Sequence, residues 1–179
     1  MPSNKKEQAR LDALVNSVAK APPDGFTWTS ANKGKAKDGV FERTASPAFR
    51  LKYPLGSKKA AIKYPNQVMR MKTPGDVHFS AFVGDIPEGM NLEDFGPKLY
   101  AQWLEDVGSN IKVISNKELT LKCGTKGYRT EIKWLWNNRL PLTTFLVSVY
   151  KNGKYIFVCA HPWKNHDKAE PIVQSLTFK

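Results

Sequence analysis

Two apolar runs, LTTFLVSVY and YIFVCAH, meet at Lys151-Asn152-Gly153-Lys154, and that meeting restricts the fold more than any other stretch. Asn-Gly tolerates positive φ at both central positions, as a type I′ turn requires, and the twist of that turn suits two antiparallel strands. Residues 143 to 150 and 154 to 161 are therefore predicted to be hairpin neighbours. In the second of these strands Tyr155, Phe157 and Cys159 alternate with Ile156, Val158 and Ala160. A strand apolar on both sides belongs in a sheet covered on both faces.

Further strands are expected in FRLKYP, AAIKYPNQVMRMKTP and VHFSAFVGDIP, each ended by proline or a proline-glycine turn, and in IKVISNKELTLKCG and GYRTEIKWLW. Val77, Phe79, Ala81 and Val83 share one face. Trp134 and Trp136 share another with Ile132 and are read as core. Three segments carry helical spacing instead. Asn4 to Lys20 sets Leu11, Leu14, Val15 and Val18 on one side behind a box of Asn4 and Glu7. Asn91 to Val107 repeats Leu99, Tyr100, Trp103, Leu104 and Val107. The final DKAEPIVQSLTFK opens on Asp167 as N-cap with Glu170 three residues on, then runs Ala169, Ile172, Val173 and Leu176. APPDG at 21 to 25 separates the first helix, so residues 1–25 are expected to be an extension and residues 26–179 one domain. The lysine- and glycine-rich NKGKAKDG lacks the spacing of a phosphate loop and is read as a mobile loop.

With 179 residues, 41% of them hydrophobic, the chain can bury a full core. No apolar run reaches the roughly 18 residues of a membrane-spanning helix. The start, MPSNKKEQARLDALVNS, has no apolar h-region, so the expectation is a cytoplasmic protein, or a periplasmic or envelope protein whose signal peptide has been removed. The formal charge is +12, and it is unevenly spread. Residues 1–75 hold 15 basic and 5 acidic side chains, 76–110 hold 1 and 7, and 111–179 hold 12 and 4. Such a field draws acidic partners, whether protein, nucleic acid or anionic surface.

Candidate chemistry is sparse. Cys123 and Cys159 are too few for a disulfide scaffold or a closed zinc site. They either pair in an oxidising compartment or lie buried as small hydrophobes. Cys159 and His161 stand two apart on one strand and so share a face, but a third ligand, drawn from His166, Cys123 or His78, has no recognised spacing. A Cys-His nucleophile lacks an orienting group and an oxyanion hole. Phosphate-loop, HExxH and GxSxG motifs are missing, so neither an enzyme nor a cofactor or metal is expected. The contact candidates are basic and aromatic: Lys52, Lys58, Lys59 and Lys63, with Arg70 and Lys72 beside them, Arg139 after the tryptophan strand, and Trp163 in the loop before the last helix.

The order FRLKYP, VHFSAFVGDIP, NLEDFGPKLYAQWLEDV, LKCGTKGYRTEIKW, VSVYKNGKYIFVCAHPW and IVQSLTFK, over residues 49 to 179, resembles the PsbP-like superfamily, which also holds Ran-binding nuclear-import factors and bacterial DcrB-like proteins. The resemblance implies an α+β fold, an α/β/α sandwich around a central, mainly antiparallel sheet. It implies a binding or assembly factor without catalysis, and an envelope location among bacterial relatives. The leading reading is docking of a basic surface on an acidic partner protein. The alternatives are a nucleic-acid or anionic-surface binder, and an enzyme or small-ligand carrier with a pocket near Cys159 and His161.

Overall fold

Alternating apolar residues and short hairpin connections set the observed topology. The computed structural model describes residues 34–62, 67–85, 108–162 and 166–178. A small sheet joins β1 (Lys35–Lys37), β2 (Val40–Arg43), β3 (Phe49–Lys52) and β11 (Thr177–Phe178), in that order. The large sheet is built from β4 (Lys58–Lys59), β5 (Gln67–Lys72), β6 (Val77–Asp85), β7 (Gly108–Thr120), β8 (Lys126–Trp136), β9 (Leu140–Lys151) and β10 (Lys154–Pro162). Its order is β4-β5-β6-β10-β9-β8-β7, and every neighbouring pair is antiparallel. One helix among the described residues, α1 (His166–Gln174), precedes β11. The predicted helices at 4–20 and 91–107, the N-terminal extension with its boundary at residue 25, Lys63 and Trp163 lie outside the described residues.

The predicted hairpin is present: Lys151 faces Lys154 across Asn152 and Gly153, whose φ angles are 54° and 75°. The same physics corrects the reading of NKGKAKDG as a loop. Lys37 faces Val40 across Asp38 and Gly39, at φ 50° and 77°, so this lysine-rich stretch is a two-residue hairpin entered by β1. Asp-Gly is as good a type I′ signal as Asn-Gly, but alternating lysines hid the strand on one side of it. A second correction falls at the C-terminal end of the described chain. The helical pattern stops at Gln174, and Thr177 and Phe178 instead pair with Arg50 and Phe49.

The sheet is buried on both faces, as the two-sided strands require. On one face Phe79 and Ala81 of β6, Val147 and Val149 of β9, and Val158 and Ala160 of β10 form the core with Ala169, Ile172, Val173 and Leu176 from α1 and its end. Phe49 and Leu51 of the small sheet close the same cluster. On the other face Ile132, Leu146, Phe157, Cys159 and Phe82 are buried as well. Tyr155 is fully buried there and lies across the strand from Gly84, with its ring 4.6 Å from that of Phe157. A Cβ at position 84 would run into the Tyr155 ring. Gly84→Ala should therefore cost about 1–2 kcal/mol by overpacking. Urea unfolding checks this, and Tyr155→Phe in the same background should leave most of the loss in place.

Candidate docking cleft

The end of the small sheet and the end of α1 are joined by one hydroxyl. The Lys52 amide donates to Ser175 Oγ at 2.8 Å, and that oxygen lies within donating reach of the carbonyls of Ile172 (2.7 Å) and Lys52 (3.1 Å). Beside this junction the β5–β6 turn is also tightly tied. Thr73 Oγ1 accepts from the Val77 amide at 3.1 Å, the Thr73 amide donates to Val77 O at 2.9 Å, and Lys72 pairs with Asp76 at 2.8 Å.

Between these anchored pieces opens a cleft of about 990 Å³. Tyr53 and Pro54 leaving β3, Pro74 of the β5–β6 turn, and Pro171 with Ile172 of α1 give it an apolar floor. Lys52, Lys122 and Lys168 stand on its rim, each exposed and each from a different element: β3, the β7–β8 turn and α1. Among the described residues none of the three pairs with a carboxylate, whereas Lys72, Lys126 and Lys154 do, with Asp76, Glu118 and Asp85. The acidic residue in the lining, Glu170, is already engaged. The Arg129 guanidinium of β8 grips it through two hydrogen bonds, Nε to Oε1 and Nη2 to Oε2 (2.8 Å), and the pair holds the Arg129 pKa above its ordinary value. Through this pair the Glu170 carboxylate clamps helix to sheet. The cleft is therefore a positive, apolar-floored groove.

The remaining contact candidates are dispersed. Lys58 and Lys59 lie exposed on β4, at one edge of the large sheet, and Lys59 lines a separate cavity of about 340 Å³ with Phe41 and Met69. Arg139 sits exposed in the β8–β9 turn, toward the opposite edge. Among the described residues, Lys52 is the one contact candidate named from sequence that reaches the cleft. Lys122 and Lys168 carried no sequence signal, because the fold alone gathers residues 52, 122 and 168.

Neither Cys123 nor Cys159 is in a disulfide. Cys159 is buried in β10 between Ser80 and Leu146, while Cys123 is exposed in the β7–β8 turn, its thiol 3.5 Å from Thr125 Oγ1. The structure does not join them, because one thiol is enclosed in the sheet and the other faces solvent. His161 does share a face with Cys159 but is turned to other work. Its Nδ1 is 2.8 Å from Thr144 Oγ1, which also accepts from Trp134 Nε1 at 3.0 Å. Burial lowers the His161 pKa to about 4, with the charges of His78 and Arg70 adding to the effect. Neither cavity is lined by Cys159 or His161, and no group of three metal-ligating side chains occurs among the described residues. Within those residues no helix is long and apolar enough to cross a membrane. Trp134 is buried, as read from sequence, while Trp136 at the strand end remains 38% exposed.

No protein-family model and no curated protein sequence matches the chain. Solved structures do. The solution structure of cyanobacterial PsbP (CyanoP) from Synechocystis sp. PCC 6803 superposes with a TM-score of 0.62 at 14% identity, covering 88% of this chain and 100% of that one. A variant of protein Mog1 gives 0.54 at 8% identity, covering 78% of this chain and 95% of that one. The chain shares the fold of these two structures.

Proposed function

We propose that this protein is a non-catalytic binding or assembly factor that docks on an acidic partner protein through the lysine-rimmed cleft. One observation carries the reading: Lys52, Lys122 and Lys168 converge from three elements on an apolar floor, with no carboxylate paired to any of them among the described residues. Uncompensated charge around desolvatable surface is what an interface uses to steer and orient a partner of opposite sign. Lys58, Lys59 and Arg139, exposed elsewhere on the molecule, add positive charge that raises encounter rate more than affinity.

The test is capture on the immobilised full chain from source-cell extract, with and without nuclease, at low and moderate salt. It is followed by titration of the identified acidic protein in purified form. The triple variant K52E/K122E/K168E should weaken that protein's binding by about tenfold or more, since each reversal adds like-charge repulsion. Binding unchanged in the triple variant overturns the assignment to this cleft. Retention of nucleic acid alone, falling steeply with salt as counterions are released, favours the nucleic-acid reading instead.

A further inference from the structure

Resting on that docking reading, we infer that the cleft takes an extended acidic segment of the partner, one that places an apolar side chain between carboxylates. The argument turns on which donors the cleft lacks. Three positions of its wall are proline, at 54, 74 and 171, and proline carries no backbone N–H. The Ser175 and Thr73 hydroxyls are already bonded to neighbouring backbone. The Gln174 amide already donates to Glu170, so apart from the Tyr53 hydroxyl, polar recognition by side chains falls to three ammonium groups, point charges on flexible stems rather than a fixed fork. Phosphate sites often draw on arginine, and no arginine lines this groove. Nucleobases need aromatic stacking platforms, and Tyr53 is the single aromatic in the lining. Carboxylates spaced along a chain suit scattered lysines, and a rigid floor of prolines with Tyr53 suits an apolar anchor. The volume of about 990 Å³ stands at the upper end of small-ligand sites, room for several residues of extended chain.

Fluorescence anisotropy on the full chain tests this with four probes: a short peptide alternating glutamate and phenylalanine, an all-glutamate peptide of equal length, a single-stranded oligonucleotide of equal charge, and vesicles containing phosphatidylserine. The alternating peptide should bind about tenfold more tightly than the all-glutamate one, as burial of the anchor predicts, and K52E/K122E/K168E, whose folding circular dichroism checks, should abolish it. Equal affinity of the two peptides overturns the anchor. Preference for the oligonucleotide or the vesicles overturns the peptide class. If neither peptide binds while capture of the acidic partner remains sensitive to the triple variant, the segment is wrong and the docking reading stands. If capture is insensitive too, both fall.

Discussion

Acidification from pH 7 to pH 4 should cost this protein up to about 3 kcal/mol of stability through His161 alone. The histidine's pKa is 6.5 when exposed and about 4 in the fold. Above pH 6.5 the imidazole is neutral in both states and contributes no pH dependence. Between 6.5 and 4 the unfolded chain binds a proton that the folded chain refuses, so stability falls as pH falls. Below 4 both states are protonated and the loss is complete. At about 1.4 kcal/mol per unit, reduced because His161 keeps some surface, the total is about 2–3 kcal/mol. The refusal has a structural cause. Burial strips water from the ring, so the charged form loses its solvation, and the neighbouring charges of His78 and Arg70 oppose a further positive charge there. Urea titrations of wild type and His161→Gln at pH 7 and 4.5 measure the effect, which is the difference between their two pH dependences, because shared carboxylates cancel. Parallel slopes in the two proteins would defeat the prediction.

The second large effect concerns the clamp between helix and sheet. Arg129→Ala should lower unfolding stability by about 2 kcal/mol. The guanidinium makes the two-pronged bond to Glu170, lies 3.7 Å from Glu131 and sits 5.1 Å from the centre of the Phe145 ring. Its removal leaves the Glu170 carboxylate with the single bond from the Gln174 amide, at 2.8 Å. The side chains are 20% and 33% exposed, which keeps the loss below that of a fully buried pair. Arg129→Lys should recover less than half, because an ammonium cannot hold both oxygens in one plane. Glu170→Gln should cost less than Arg129→Ala, since the amide can still accept one bond. Thermal unfolding of the three variants orders them.

The two-sided strands and the Asn-Gly turn were legible because their information is local: period-two alternation names a buried strand, and a positive-φ pair names its turn. The resemblance read from motif order also led to the observed fold. The alternating lysines of β1 look like a solvated loop even though their Asp-Gly turn is as local a signal as Asn-Gly. The rest of what escapes reading is non-local. The C-terminal Thr177 and Phe178 continue a helical pattern in sequence, and only pairing with Phe49 and Arg50 draws them into a sheet. The candidate site was legible in one residue of three. Lys52 stood out in a basic stretch, whereas Lys122 and Lys168 resemble any other solvated lysine until the fold sets them around one floor.

The pairing of β3 with β11 has a consequence for how the protein is made. Ser175 reaches back 123 residues to Lys52, so the small sheet and the wall it gives the cleft stay incomplete until nearly the whole described chain has left the ribosome. Closures of this length are slow to find, and until then Phe49 and Leu51, fully buried in the finished fold, lack part of their cover. The nascent protein thus passes through an interval with its core open beside its most basic surface. A chain arrested during synthesis before residue 175 should be far more susceptible to protease around residues 49–52 than the released protein.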